Sequence, residues 1–404
     1  MKVLFTFGGM PHYLVSLLNK LTIKYNIDIV VVRPLNSGKT IGKAVNQSDT
    51  GANFKTVFAN EYNAFFNKPY FKDFYQIINS EKPDIIVLSW PYILNYSFHI
   101  KTLLFVRKHH IKIVLKEIPF QIAPGNKPFS FYKKNPLLDE DGNNITPTGL
   151  KFYPWALMLW FTRNWYYRKT DASITYTDLA FDIEQSYGMK KQDIFVTGNS
   201  VDTDELFIIK ESLLSLPRST PNNPYRLIHI GRLVKWKRVD LIIQILPALK
   251  KQFPKTELVI IGEGPEKEPL KKMVNSLNIN DSVKFEGSIY GYEKLGDFLL
   301  SSGVYVLAGM GGLSINEAMA FGKPVICSVC DGTERELVKN NMNGLIFEEG
   351  NADDLLKKII CLFENPELIE KMGKNSENII KNKININTVA FSINEAFKYV
   401  IKNR

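Results

Sequence analysis

This 404-residue sequence predicts two doubly wound α/β domains, and three observations carry the prediction. Short β-branched runs alternate with helical patterns almost throughout, the signature of parallel strand–helix–strand units. The chain is longer than one core usually serves, at roughly 100 to 200 residues per domain. Between the halves, NSVDTDELFIIKESLLSLPRSTPNNPYR ends in a stretch rich in Pro, Asn and Ser that reads as a linker.

In the first half the pattern predicts strands at 3–7, 27–32, 85–89, 111–115 and 173–176. The start, MKVLFTFGGM, has one Lys and a short apolar run before two glycines, which fits a first strand and its loop rather than a signal peptide. In the second half strands are expected at 227–231, 258–261, 283–285, 304–307, 324–327 and 344–347. The domains are expected at 1–205 and 206–385. A final helix within 386–404 either packs on its own domain or crosses back to the first.

Composition excludes several classes. With 45% hydrophobic and 23% charged residues the chain is an ordinary folded one. It has no 18-residue uncharged apolar stretch, which argues against a spanning helix, and the expected compartment is the cytoplasm. Three cysteines make no disulfide framework, and Cys327 and Cys330 form a C-x-x-C with no second ligand pair, which reads as a strand end of small apolar residues rather than a zinc site; no metal and no cofactor are expected. A net charge of +10 admits nucleic acid, an anionic membrane surface or phosphorylated substrates. The basic residues are spread along the chain without a nucleic-acid-binding motif, so nucleic acid is not expected as a partner.

Two turns carry chemistry. GMGGLSINEAMAFGKPVI, residues 309–326, crowds three glycines before a helix, where unpaired N–H groups and the positive end of the dipole suit an anion. The strand YRLIHIG runs into GRLVKWKRVDLII, placing Arg232 just past a strand end and Lys237 near the next helix start. Arg forks onto phosphate oxygens and Lys acts as a point charge, so the pair suits a diphosphate; a solvated basic loop is the alternative.

Taken with LVIIGEGPE and VKFEG, these stretches resemble, in order and spacing, the GT-B glycosyltransferases of the large retaining group often called family 4. The resemblance covers nearly the whole C-terminal half and implies two Rossmann-like domains facing across a cleft. It implies that Arg232 and Lys237 grip the donor diphosphate. The amides of Gly311, Gly312, Leu313 and Ser314 would meet the same phosphates and sugar, and Glu317 would accept hydrogen bonds from the ribose. The family has a second glutamate eight positions before the helix Glu, where this chain has Gly309.

The first half is less similar. FTFGGMPHYLVSLLNKL looks like the family's first strand, glycine loop and helix, so Gly8 and Gly9 would line the cleft, with His12 close by. VTGNSVDTDELF resembles the family's N-G-V-D junction with Ser200 in place of the Gly. Where relatives carry a His after a mid-domain strand, IKIVL leads here to KEIPF, making Glu117 the acceptor-side substitute or a loop cap. His109 and His110 are expected to face solvent.

Some matches are decoys. NSGKT, residues 36–40, lacks the leading Gly of a P-loop, whose place Arg33 takes. DEDGNN, residues 139–144, has Gly142 at the wrong position for a calcium loop, and Asp139 and Asp141 read as a solvated acidic turn rather than a D-x-D metal site. FYPWALMLWFTRNWYYRK, residues 152–169, places aromatics and cations around a short apolar core, which suits either a membrane interface or a helix buried on the sheet.

The resemblance implies a glycosyltransferase of the hexosyl-transfer class working in cell-surface polysaccharide or glycolipid synthesis. Its donor would be a nucleotide diphosphate sugar, UDP among the candidates, its acceptor a saccharide or lipid-linked saccharide, and its membrane contact peripheral. A nucleotide-sugar epimerase of the same fold and a non-catalytic partner subunit remain the alternatives.

Overall fold

The computed structural model describes residues 1–35, 50–64, 67–118, 122–137, 143–217, 219–328 and 332–403. NSGKT, the pair Asp139 and Asp141, and Cys330 lie outside these residues. The chain divides into two units. The first joins Met1–Leu138, Asn144–Gly198 and Asn387–Arg404; the second is built on Asn199–Ile386.

The first unit holds a seven-stranded parallel sheet and a small antiparallel pair. Its strands are β1 (Lys2–Thr6), β2 (Asp28–Pro34), β3 (Lys55–Ala59), β4 (Glu61–Asn63), β5 (Pro69–Phe71), β6 (Ile85–Ser89), β7 (Lys112–Lys116), β8 (Ala172–Thr175) and β9 (Ile194–Val196). The sheet order is β3-β2-β1-β6-β7-β8-β9, and β4 pairs with β5. Central strands covered on both faces read as near-continuous apolar runs, so β1, β2, β6, β7 and β8 stand where the pattern predicts them. The two edge strands were not predicted: β3 is largely exposed or half-buried and β9 has three residues.

The helix Ile386–Lys402 contributes its residues from 387 onward to this unit. Phe397 is buried edge-on against Phe5, ring centroids 6.0 Å apart, and the Tyr399 hydroxyl donates to Asp193 Oδ1 at 2.7 Å.

The second unit is a six-stranded parallel sheet with strands β10 (Asn223–Ile230), β11 (Glu257–Ile261), β12 (Val283–Gly287), β13 (Ser302–Leu307), β14 (Val325–Cys327) and β15 (Gly344–Ile346). Its order is β12-β11-β10-β13-β14-β15, and each strand overlaps a predicted one. The helix Val239–Gln252 buries Val239, Ile242, Ile243, Leu246 and Leu249, a three-four spacing that turns one face to the sheet. Full burial of such side chains contributes about 1.5–3 kcal/mol each.

The units divide at 198/199 rather than at the expected 205/206, because much of the supposed linker is structured. Asp202 caps the helix Thr203–Leu214 by accepting from the Glu205 amide at 3.2 Å. On that helix Lys210 Nζ reaches the Ala320 carbonyl at 3.2 Å and Glu377 at 2.7 Å, so the segment belongs to the second unit.

In each sheet the chain reverses its direction of winding once. The reversals lie between β1 and β6 and between β10 and β13, where β1 pairs Val3 with Ile85 and β10 pairs Leu227 with Val304. Crevices at the carboxyl ends of strands beside such reversals are where open α/β sheets bind ligands.

Candidate functional site

Both turns singled out in the sequence flank the reversal in the second sheet. Arg232 follows β10, and the short 3-10 helix Lys235–Lys237 comes next; Gly309–Leu313 follows β13 and leads into the helix Ser314–Ala320. Lys237 is buried, and its ammonium donates to the carbonyls of Met310 at 2.8 Å and Gly311 at 2.5 Å. A Cβ at Gly312 would lie 3.2 Å from the same nitrogen. Lys237, Gly311 and Gly312, distant in sequence, thus form one cluster, and Lys237 ties the glycine turn down as well as charging it.

Gly309 has a steric reason. Its backbone runs against the turn after β10, with the Met310 amide donating to the Trp236 carbonyl at 2.9 Å, and a Cβ on Gly309 would sit 2.0 Å from that same oxygen. No side chain fits there. Where the resemblance implies a glutamate, Gly309 makes a backbone contact that locks the two turns together. The first turn is held from its other side too: the Leu233 amide donates to the Glu263 carbonyl at 2.9 Å, and Gly262 comes so close that a Cβ would lie 1.8 Å from the Gly231 carbonyl.

Beyond Met310 the turn offers donors. The amides of Gly311, Gly312, Leu313 and Ser314 make no backbone hydrogen bond among the described residues. The Ser314 hydroxyl is engaged with the Tyr305 hydroxyl at 2.8 Å, which leaves its amide as its contribution to an anion. Arg232 is half-buried, its guanidinium 5.9 Å from the centroid of the Trp236 ring.

Glu317 sits in the first turn of the helix Ser314–Ala320, half-buried, with no hydrogen-bond partner for its carboxylate among the described residues. Burial pushes its carboxyl up to about 7. A hydroxyl-rich ligand could supply the donors this carboxylate lacks.

Sequence reading missed His229, fully buried in β10. Its Nδ1 lies 3.0 Å from the Val306 carbonyl, and its Nε2 has no hydrogen-bond partner among the described residues and lies 3.5 Å from where a Gly231 Cβ would be. Burial lowers its pKa to about 4, with Lys237 adding to the effect, so the ring is neutral at physiological pH. With Nδ1–H donated to the carbonyl, Nε2 carries a lone pair, and both it and the Lys237 side chain lie close to Gly231. As an apolar-flanked strand residue in LIHIG it gave no signal.

The candidates of the first half belong to the first unit. Gly9 is buried in the loop after β1, and His12 is an exposed residue opening the helix His12–Tyr25. Glu117 follows β7 and is buried, accepting from the Tyr167 hydroxyl at 2.6 Å and from Tyr166 at 3.2 Å. Burial raises its pKa, and its oxygens are spent on these tyrosines, so it is a network acceptor rather than a mobile base. His109 and His110 are exposed at the end of the helix Ile100–Lys108. Among the described residues no group of three His, Cys, Asp or Glu side chains is placed to hold a metal.

Gly309→Ala should lower stability by about 1–3 kcal/mol, the usual cost of overpacking, measured as a fall in the denaturant midpoint; an unchanged midpoint would mean the two turns are not in contact.

A second expectation concerns pH. Because the Glu317 carboxyl binds its proton more tightly in the folded chain, stability should fall as pH rises from the ordinary 4.5 through about 7, and the full penalty is present above that. Glu317→Gln should therefore be more stable than the parent at pH 8, with the gap closing as pH falls below the window. Parallel melting curves for the ligand-free proteins test this, and a constant gap across the pH range would contradict it.

Residues 217–379 match the family model described as Glycosyl transferases group 1. A Haemophilus influenzae protein named as an uncharacterized glycosyltransferase is 31% identical over 192 residues, 46% of this chain and 51% of the relative. A poly(ribitol-phosphate) alpha-N-acetylglucosaminyltransferase of Staphylococcus aureus is 33% identical over 155 residues, 38% of this chain and 31% of the relative. These matches thus span about half or less of the relatives' length. The crystal structure of Anabaena HepE in complex with UDP superposes with a TM-score of 0.67, covering 99% of this chain and 100% of that one at 16% identity. The chain therefore has the GT-B fold, and its residues 217–379 carry the match to the Glycosyl transferases group 1 family.

Proposed function

We propose that the chain is a glycosyltransferase that moves a sugar from a nucleoside diphosphate donor to a hydroxyl of a saccharide or lipid-linked saccharide, with retention of configuration. The observation that carries this reading is the Lys237 ammonium bound into the glycine turn at the sheet's reversal point, beside amides that make no backbone hydrogen bond among the described residues. When the anomeric C–O bond breaks, its electron pair goes to the diphosphate, and the acceptor oxygen bonds to the anomeric carbon and gives up its proton to the departing diphosphate. Arg232, Lys237 and the amides would hold the departing charge in fixed geometry, a form of stabilisation that needs no metal.

Glu317 would accept the two ribose hydroxyls, and His229 would keep Lys237 in place. Gly309 offers no side chain to the sugar, so the amides of Gly311 and Gly312 would hold it. The UDP in the Anabaena structure supports a uridine donor, and the ribitol-phosphate substrate in the name of the Staphylococcus relative supports an acceptor from cell-surface polymer synthesis.

The helix Phe152–Tyr167 supports a peripheral position at the cytoplasmic face of a membrane. Its inner face buries Phe152, Ala156, Leu159, Arg163 and Tyr166, whereas Tyr153, Leu157 and Phe161, one turn apart, are 50%, 53% and 60% exposed and Leu150 just before it is 92% exposed. Lys133 donates to the Tyr153 hydroxyl at 3.0 Å, placing a cation at the rim of this apolar stripe. The buried face packs against its own unit, and the exposed apolar face on the other side supports the membrane-interface reading. No helix among the described residues is long and apolar enough to cross a membrane.

Calorimetric titration tests the donor site. Arg232→Ala should weaken UDP binding roughly 10- to 100-fold, the weight of a charge-assisted hydrogen bond, and leave uridine binding nearly unchanged. Equal losses for both ligands would remove Arg232 from the phosphates, and no binding of any nucleoside diphosphate would remove the transferase reading.

Flotation with anionic liposomes tests the membrane contact. Binding should be present at low salt, fade as salt rises and drop on Leu157→Asp; absence of binding at low salt would end the idea.

A further inference from the structure

The first unit contains a cavity of about 960 Å3, near the top of the roughly 300–1,000 Å3 that small-molecule sites occupy. Phe7, Ser89, Lys116 and Tyr176, at the ends of β1, β6, β7 and β8, line it at the carboxyl edge of the sheet. That edge includes the reversal between β1 and β6, the position equivalent to the one that carries the phosphate turns in the second unit.

Two chemistries meet in the lining. Leu94, Ile122, Trp155, Met158 and Leu159 make most of it apolar, too continuous a surface for a hydroxyl-covered sugar alone. Lys68, Lys116 and Arg163 supply three cations against one acid, Glu117, whose oxygens already accept from two tyrosines. Arg163 is 6% exposed; one of its terminal nitrogens donates to the Tyr132 hydroxyl and its Nε has no hydrogen-bond partner among the described residues. Lys116 meets the Tyr176 hydroxyl and ring but pairs with no carboxylate among the described residues, and burial lowers its pKa to about 8. Lys116 is half-buried and has no carboxylate beside it among the described residues, and an arriving anion would provide the counter-charge.

We propose that this cavity binds a lipid phosphate, its apolar chain along Leu94, Trp155, Met158 and Leu159 and its phosphate against the cations of the lining, Lys116 foremost. As an acceptor carrier, this ligand rests on the transferase reading; as a ligand, it stands on the cavity alone. The helix Phe152–Tyr167 supplies Trp155, Met158, Leu159 and Arg163 to the cavity while its other face exposes Leu157 and Phe161, so one helix meets the lipid on both sides.

The experiment uses the full chain, with farnesyl phosphate, farnesol and inorganic phosphate titrated separately below the concentrations at which the lipids aggregate. Farnesyl phosphate should bind at one equivalent and at least roughly tenfold more tightly than either farnesol or inorganic phosphate, since it alone engages both chemistries. Lys116→Met should weaken farnesyl phosphate by about tenfold or more and leave farnesol unchanged, whereas Met158→Trp, which fills the apolar part, should weaken both lipids.

Farnesol binding as tightly as farnesyl phosphate would overturn the phosphate site, and inorganic phosphate doing so would overturn the chain site. Full lipid affinity in both variants would place the lipid elsewhere and overturn the proposal. UDP binding is followed in the same samples. Loss of lipid binding with UDP binding intact counts against this cavity alone, and lipid binding without UDP binding counts against the transferase reading alone.

Discussion

The candidate donor site depends on a single backbone embrace, the contact of the turn after β10 with the turn after β13. The Trp236 carbonyl accepts from the Met310 amide at 2.9 Å, Lys237 returns its ammonium to the carbonyls of Met310 and Gly311, and only a residue without a side chain can stand at 309. Backbone geometry thus sets the direction of the turn's amides, and the lysine charge is fixed before any ligand arrives. Preorganisation of this kind makes an anion site strong, because little reorganisation remains to oppose binding. The two carbonyls that accept from the lysine also offset part of the cost of burying its charge.

The two sheets use the same device to different ends. Each places its loops at the carboxyl edge beside a reversal of winding, but the second unit presents glycines and amides there, whereas the first presents Tyr13, Trp90, Lys116 and Tyr176. Small residues and bare amides suit a compact, highly charged ligand. Bulky aromatics around a lysine suit a larger and more amphipathic one.

How far the sequence spoke depended on burial. Central strands such as β1, β6, β10 and β13 are covered on both faces, so their apolar runs announce themselves, whereas β3 and β9 lie at edges where little burial is required of them. The helix Thr203–Leu214 was taken into a linker because the Pro- and Asn-rich residues that follow it dominate the local composition. At the site, Arg232, Lys237 and the glycines were legible because turn chemistry is written in residue types. His229 was not, since a buried polar atom is defined by what surrounds it in space. Gly309 was legible as a departure from the family pattern but not as a fit, because the Trp236 oxygen that forbids a side chain belongs to a turn far away in sequence.

The C-terminal helix has a consequence for how the molecule is made. Phe5 in the first strand is packed by Phe397, and Asp193 by Tyr399, so the first unit encloses the whole second unit within its own stretch of chain. During synthesis, β1 to β9 would emerge and pair while the residues that finish their core are still untranslated. The second unit, contiguous in sequence, could close first. Such an order leaves an apolar surface around Phe5 waiting through the translation of residues 199–386, and it makes the first sheet, although it leaves the ribosome before the second, the later of the two to be sealed.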